Sequence, residues 1–402
     1  MMKLLLLGGS RYLIPAIQAA HELGVYVITA DYLPDNAAHA FADEYCNVSV
    51  IDKEAVLKAA ATLHVDGIMS FATDPGVVSA AYAAEKLGLP TSPYESVSIL
   101  QNKGRFRQFL RNNRFNTPYA QSYADIAEAL RELDNFRYPV IVKPVDSAGS
   151  KGVNRIESPR ELPAAAKAAL AYSSSGNFII EEFVEKRGYS SDTDSFSIDG
   201  ELVFCSFNDQ WFDESSVNPY TPAGFIWPSS MAAEHQQTLR TELQRLMHLL
   251  HLGTSIYNIE TRVGTDGKPY IMECSPRAGG NRLAEMLKLA TGQDLITASV
   301  EGALGMPITG LAADPEYNRG CWGEIILHSN QDGVFKGLSI DREYQERYIH
   351  QLDLWVKPGD QIHRFTGANM TIGTVVLNCT DREELERAMR MAGNAIRIDS
   401  GV

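Results

Sequence analysis

Ser255 to Arg282, SIYNIETRVGTDGKPYIMECSPRAGGNR, is the run on which the reading of the whole chain turns. Two alternating segments flank Asp266-Gly267, a dipeptide suited to a tight type I′ turn, so the run is predicted to be a β-hairpin. With Asp266-Gly267 as a two-residue loop, Glu260 faces Glu273 and Asn258 faces Ser275. The same register gathers Ile259, Thr261, Val263, Tyr270, Met272 and Cys274 on the other face, which suits a core. Like charges directly opposite each other destabilise a sheet. Sharing a proton, binding a cation or standing in open solvent would each relieve the pair. The segment Glu273-Cys-Ser-Pro-Arg277-Ala-Gly-Gly280 then turns the chain beside the carboxylates and brings a guanidinium with it. Two acids and an arginine at a strand end suit a hard cation carrying phosphate.

Working outward, 402 residues are too many for one compact core and predict two to four domains. The 45% hydrophobic and 21% charged composition is that of an ordinary globular chain. A net charge of −14 argues against a general nucleic-acid binder, whose phosphate contacts demand a basic surface. No apolar run is long enough to span a membrane, and Leu4 to Leu7 reads as a buried first strand, not a signal peptide. Five scattered cysteines without a C-x-x-C read as reduced thiols of a cytoplasmic enzyme.

Residues 1–97 alternate strand and helix and predict an open parallel α/β sheet. Its first turn, Gly8-Gly9-Ser10-Arg11, lacks the third glycine of a dinucleotide fingerprint, because Leu13 stands there. Thr73-Asp74-Pro75-Gly76 closes a later strand and reads first as a helix N-cap by Asp74, second as a substrate loop. Farther on, Tyr138-Pro-Val-Ile-Val-Lys143-Pro144 is a short apolar strand ending in a lysine, and Asp146-Ser147-Ala-Gly149-Ser150-Lys151-Gly152 follows at once. Small residues let backbone amides approach phosphate oxygens, with Lys143 as a point charge. Val153 to Ile156 continues as a strand, so this is a strand, glycine loop, strand arrangement and not a helix-opening P-loop; an ordinary hairpin turn would not explain Lys143 placed immediately before it. Asn208 to Ser230, with two tryptophans and no periodicity, reads as a long functional loop.

These motifs, in their order, resemble the ATP-grasp superfamily. Asn258-Ile-Glu260 and Glu273-Cys-Ser275-Pro276-Arg277 are similar to its closing N-x-E and E-x-N-P-R strands, with Ser275 where the family carries a metal-binding Asn. Gln101-Asn-Lys103-Gly-Arg105-Phe-Arg107 resembles the helix that opens the ATP-binding domain, whose lysine approaches the phosphates. Phe178-Ile-Ile-Glu181-Glu182-Phe183-Val184 resembles the hinge that binds adenine beside Glu181 and Val184 with an acid at Glu182. Gly188 stands where many members place a ribose-binding carboxylate, which leaves Asp192 or Asp194 as substitutes.

The resemblance implies an α/β and α+β chain in three parts. These are an N-terminal open parallel α/β domain over 1–97, an ATP-grasp fold over 98–305 with a mobile flap at about 120–184, and a β-rich domain over 306–402. It implies that Lys103, Lys143, Ser147, Gly149, Ser150, Gly152, Glu181, Glu182 and Val184 bind ATP. Glu260, Glu273 and Ser275 would hold Mg²⁺ or Mn²⁺, and Arg277 and Lys143 would be catalytic. The implied chemistry is phosphorylation of a small-molecule carboxylate to an acyl phosphate, then coupling to an amine. A bicarbonate-activating carboxylase, a purine-pathway-type ligase and a binding module without turnover are the alternatives, and a homodimer is among the assemblies open to it.

Overall fold

The computed structural model describes residues 1–147, 149–311 and 320–401. The chain forms two compact units. The first comprises Met1–Thr117, Asp192–Ser206 and Ala232–Glu316; the second comprises Pro118–Ser191, Phe207–Met231 and Tyr317–Val402. Residue 148 of the expected glycine loop, and residues 312–319 and 402 of the expected β-rich domain, lie outside the described residues.

In the first unit, strands β1 (Lys3–Leu7), β2 (Tyr26–Asp31), β3 (Glu44–Asn47) and β4 (Gly67–Ser70) form a parallel sheet in the order β3-β2-β1-β4. Leu4 to Leu7 are wholly buried, as expected of a parallel strand covered on both faces. Leu5, Leu7 and Ile28 pack with Val56, Ala60 and Ala84 from the crossing helices. The helix Lys53–Leu63 starts where Asp52 accepts a hydrogen bond from the Ala55 amide, and it stops at His64 in the left-handed region. Gly9 is required by packing, since an added Cβ would lie 2.6 Å from Asn36 Cβ and from the His39 ring.

The second sheet of this unit orders β9 (Ser191–Ile198), β10 (Glu201–Cys205), β13 (Ser255–Val263) and β14 (Pro269–Ser275) as β10-β9-β13-β14. The 17-residue helix Ala233–Leu249 buries Leu239, Leu243, Leu246 and Met247, a stripe at helical spacing.

In the second unit, β5 (Ala120–Tyr123), β6 (Val140–Pro144), β7 (Asn154–Ile156) and β8 (Phe178–Glu182) form an antiparallel sheet ordered β5-β8-β6-β7. Val140, Val142, Phe178 and Ile180 pack there against Ala165, Ala166 and Ala169 of the helix Leu162–Leu170. The expectation of an irregular loop over Asn208 to Ser230 is corrected. Asp209–Phe212 (β11) and Pro222–Trp227 (β12) pair antiparallel, and β12 joins β15 (Cys321–Leu327), β19 (Gly373–Cys379) and β17 (Ile349–Leu354). The stretch lacks alternation because side chains on both faces of β12, Phe225, Ile226 and Trp227, are buried. A small sheet of β16 (Gly333–Ile340), β18 (Gln361–Ile362) and β20 (Ile396–Gly401) completes the β-rich end. No helix among the described residues is long and apolar enough to cross a membrane, and all five cysteines are unbridged.

Candidate functional site

The β13–β14 register places Glu260 opposite Glu273 and Asn258 opposite Ser275, as the sequence predicts. The turn, however, is not the two-residue loop. Gly264 donates to the Lys268 carbonyl and Gly267 takes a φ of +76°, which makes a longer loop with glycine in the left-handed position. A register shift between Glu260 and Thr261 compensates, so the carboxylates still meet. It also changes the phase of β14: Ile271 is buried with Cys274, whereas Tyr270 and Met272 are only half-buried, against expectation.

Each facing carboxylate has a cation beside it. Lys103 Nζ lies 3.8 Å from Glu273 Oε2, and Arg262 Nη2 lies 3.4 Å from Glu260 Oε1. Lys103 is set by its position as the first residue of the helix Lys103–Asn112, which Asn102 caps through the Arg105 amide. The sheet adds two acids that the sequence did not place here. Asp192 and Asp194, alternate residues of β9, both accept from Asn258 Nδ2, at 2.8 and 3.2 Å. Asp194 Oδ1 also accepts from the Gly279 amide at 2.8 Å. A Cβ on Gly279 would stand 2.4 Å from Leu283 Cδ1 and 2.7 Å from Asn258 Nδ2, so glycine alone permits that approach.

Burial, together with the Glu260 charge, pushes the Asp192 carboxyl up to about 7, and burial does the same to Asp194. Asp194 Oδ2 is buried and has no hydrogen-bond partner among the described residues. A carboxyl that keeps its proton to higher pH when folded favours the folded state below its unfolded pKa, near 3.9, and loses that advantage as pH rises to about 7. Asp194→Asn keeps the Oδ1 acceptor and removes the charge. It is expected to raise the melting temperature by on the order of a few degrees at pH 8, and by less than half as much at pH 5. Thermal melts at the two pH values check this, and equal shifts at both would contradict the assignment.

Arg277 is held by Asp74. Its Nε and Nη2 donate to the two Asp74 oxygens at 2.9 and 2.8 Å, and its Nη1 donates to the Ala278 carbonyl at 2.8 Å. Burial alone would raise the Asp74 carboxyl, but the guanidinium outweighs it and holds the group below the usual carboxylate range. The N-cap expectation for Asp74 is therefore corrected: the helix Val77–Leu87 begins after Gly76 with no side-chain cap. Ser275 Oγ donates to Asp74 Oδ1 at 3.0 Å and accepts from Gln101 Nε2. Tyr12 of the first loop donates to Asn281 Oδ1 at 3.0 Å.

The second unit carries the other predicted group. Lys143 Nζ lies 3.2 Å from Glu181 Oε1, on neighbouring strands β6 and β8. Glu182 is bound in a fork by Arg137, and Phe183, just before Val184, donates its amide to the Pro139 carbonyl. Between β6 and β7, Gly149, Ser150 and Gly152 all adopt positive φ, so the loop following Ser147 turns sharply. Asp146 anchors one end of the loop through Ser173, Ser174 and the Ser175 amide. Asn218 Nδ2 contacts the Ser150 carbonyl at 3.4 Å and the Thr366 carbonyl at 3.1 Å.

The first unit thus brings Lys103, Glu260, Glu273, Ser275 and Arg277 to one sheet face, and the second pairs Lys143 with Glu181 on neighbouring strands, with the glycine loop joining β6 to β7. Two facing carboxylates are the hard-oxygen donors that fit Mg²⁺, which takes one or two protein carboxylates and draws its other ligands from phosphates and water. Sequence reasoning read Asp74 as a helix cap first and a substrate loop second, and gave Gln101 no role of its own; the Asp-x-Asp alternation at 192–194 was the available signal for the extra acids.

Comparison with known proteins agrees with this architecture. Residues 136–285 match the ATP-grasp domain family and residues 17–91 match the ATP-grasp N-terminal domain family, together more than half of the chain. The ATP-grasp enzyme fsqD of Aspergillus fumigatus is 29% identical over 53% of this chain and 38% of its own length. A carbamoyl phosphate synthase large chain of Thermotoga petrophila is 25% identical over 57% of this chain and 19% of its own length. The chain therefore spans well under half the length of these two relatives. A formate-dependent phosphoribosylglycinamide formyltransferase of Parasynechococcus marenigrum is 26% identical over 88% of this chain and 89% of its own length. In fold, the L-amino acid ligase of Bacillus licheniformis superposes with a TM-score of 0.82 at 21% identity, covering 100% of this chain and 99% of that one. The chain belongs to the ATP-grasp superfamily, whose members among these neighbours include ligases.

Proposed function

We propose that this protein is an ATP-dependent carboxylate–amine ligase. The observation that carries the proposal is the facing pair Glu260 and Glu273, with Lys103 and Arg277 on the same sheet face. A carboxylate attacking the γ-phosphate brings anion towards anion, and a divalent metal on the two glutamates supplies the neutralising charge. Lys103 and Arg277 add positive charge there, Lys143 does so on β6, and the backbone of Glu181 and Val184 receives the adenine. Glu182 takes the hinge-acid place, and the loop carrying Ser147, Gly149, Ser150 and Gly152 binds phosphate oxygens through its backbone amides. The substrate oxygen bonds to phosphorus as the β–γ bond breaks, giving an acyl phosphate and ADP. The amine then attacks the carbonyl carbon, loses a proton, and phosphate leaves.

The full-length likeness to a formate-dependent transferase favours a second reading, in which the activated acid is formate or bicarbonate and the amine belongs to a nucleotide precursor. One assay addresses both. ADP release from Mg²⁺-ATP is measured against pooled amino acids, formate, bicarbonate and nucleotide-precursor amines, with and without hydroxylamine. Release that depends on an added acid, with a hydroxamate formed, is the expected result, and deconvolution identifies the acid. Tight ATP binding with no acid-stimulated release across the panel and no hydroxamate would leave a binding module in its place.

A further inference from the structure

Asp74 follows β4 in the run Thr73-Asp74-Pro75-Gly76, yet its carboxylate serves the far end of β14. Three donors meet it: two from the Arg277 guanidinium and one from the Ser275 hydroxyl. A guanidinium has five N–H groups. Asp74 takes two and the Ala278 carbonyl one, which leaves one on each terminal nitrogen. Because the Asp74 fork is planar and bidentate, the directions of those remaining N–H groups are fixed before any ligand arrives. Arg277 is 8% exposed, so its side chain has little freedom to adopt another pose.

Ser275 completes this arrangement. Its one O–H points to Asp74 and its oxygen accepts from Gln101, at the end of the helix Tyr94–Gln101. An asparagine, the residue of the family pattern at this position, is longer and carries no hydroxyl to donate there. We propose that Asp74 is the positioning residue for Arg277, and that Ser275 braces Asp74 in place of ligating the nucleotide's metal. This rests on the function proposed above, in which Arg277 meets the γ-phosphate. The metal site then consists of Glu260 and Glu273 alone on the protein side. The aim of Arg277 is set by Gln101, Ser275 and Asp74.

The test needs no substrate. Dissociation constants of Mn²⁺·ADP and Mn²⁺·AMP-PNP are measured on the full chain by calorimetry, and Mn²⁺ affinity of the ADP complex by electron paramagnetic resonance. Arg277→Lys and Asp74→Asn should each reduce the preference for the γ-phosphate-bearing nucleotide by about tenfold, the scale of one charged hydrogen bond. The double variant should do no worse than the more affected single one, since both remove the same interaction. Ser275→Ala should lower that preference by a smaller factor while leaving Mn²⁺ affinity within twofold, whereas Glu273→Gln weakens Mn²⁺ binding more than tenfold. If Asp74→Asn does not fold, Asp74→Glu, which keeps the charge but displaces the fork, replaces it in the comparison. A lost preference in Arg277→Lys with an intact one in Asp74→Asn would overturn the positioning role. Mn²⁺ weakening by Ser275→Ala equal to that by Glu273→Gln would return Ser275 to the metal. An intact preference in Arg277→Lys itself would overturn the functional reading of Arg277, and the inference with it.

Discussion

Glu273→Gln is expected to lower acid-dependent ADP release by at least about a hundredfold while leaving the fold as stable as before or slightly more so. The substitution keeps the shape of the side chain and removes one of two carboxylates that stand directly opposite each other. In the free protein that juxtaposition is a cost, softened by Lys103 at 3.8 Å and Arg262 at 3.4 Å. Removing it relieves repulsion worth about 0.2–1 kcal/mol. In the nucleotide complex the same removal halves the charge available to hold the metal. Activity and stability should therefore move in opposite directions, the signature of residues kept for function at the expense of stability. Steady-state ADP release and a thermal melt on the same sample suffice. Near-normal turnover would sink the metal assignment, and a collapsed melting temperature would make the pair structural.

The second large effect concerns Lys143 and Glu181. Glu181 is 3% exposed on the central strand β8, and the Lys143 ammonium lies 3.2 Å away on β6. Lys143→Met takes that ammonium from a buried carboxylate, a change that costs about 3–5 kcal/mol when one partner of a buried pair is lost. ATP binding should fall with it. Lys143→Met/Glu181→Leu separates the two effects. Replacing both charges by apolar side chains is often neutral or stabilising, so the double variant should recover most of the melting temperature and none of the ATP affinity. Recovery of both would show that the lysine only balances Glu181. Recovery of neither would mean that the pair is not the main determinant of this sheet.

Much of this was legible in the sequence, for identifiable reasons. The parallel sheet announced itself through uninterrupted apolar runs such as Leu4 to Leu7, and the β6–β7 strand pair through the run of small residues that joins it. The facing glutamates were found even though the turn was misjudged, because the register shift after Glu260 cancels the extra loop residue. A bulge leaves no mark in a hydrophobic pattern until the phase changes, and the swap of Ile271 for Tyr270 and Met272 in the core was the only trace. Asp74 was read as a helix cap because local capping is the commonest use of an aspartate before a helix. Its actual partner, Arg277, lies 203 residues later, beyond the reach of local rules. β12 was hidden partly for the same reason: burial of both its faces removes the alternation, and the neighbour that covers its far edge, β15, begins only at Cys321.

That pairing has a consequence for the protein as it is made. When β12 leaves the ribosome β11 is already available, but its other neighbour, β15, has not been synthesised, and roughly ninety codons, several seconds of translation, separate Trp227 from Cys321. During that interval Phe225, Ile226 and Trp227, all buried at the end, sit on a strand with an open edge, a template for pairing with another nascent chain. Slowing the ribosome between residues 230 and 320 should lower the soluble fraction, whereas slowing it before residue 200 should not.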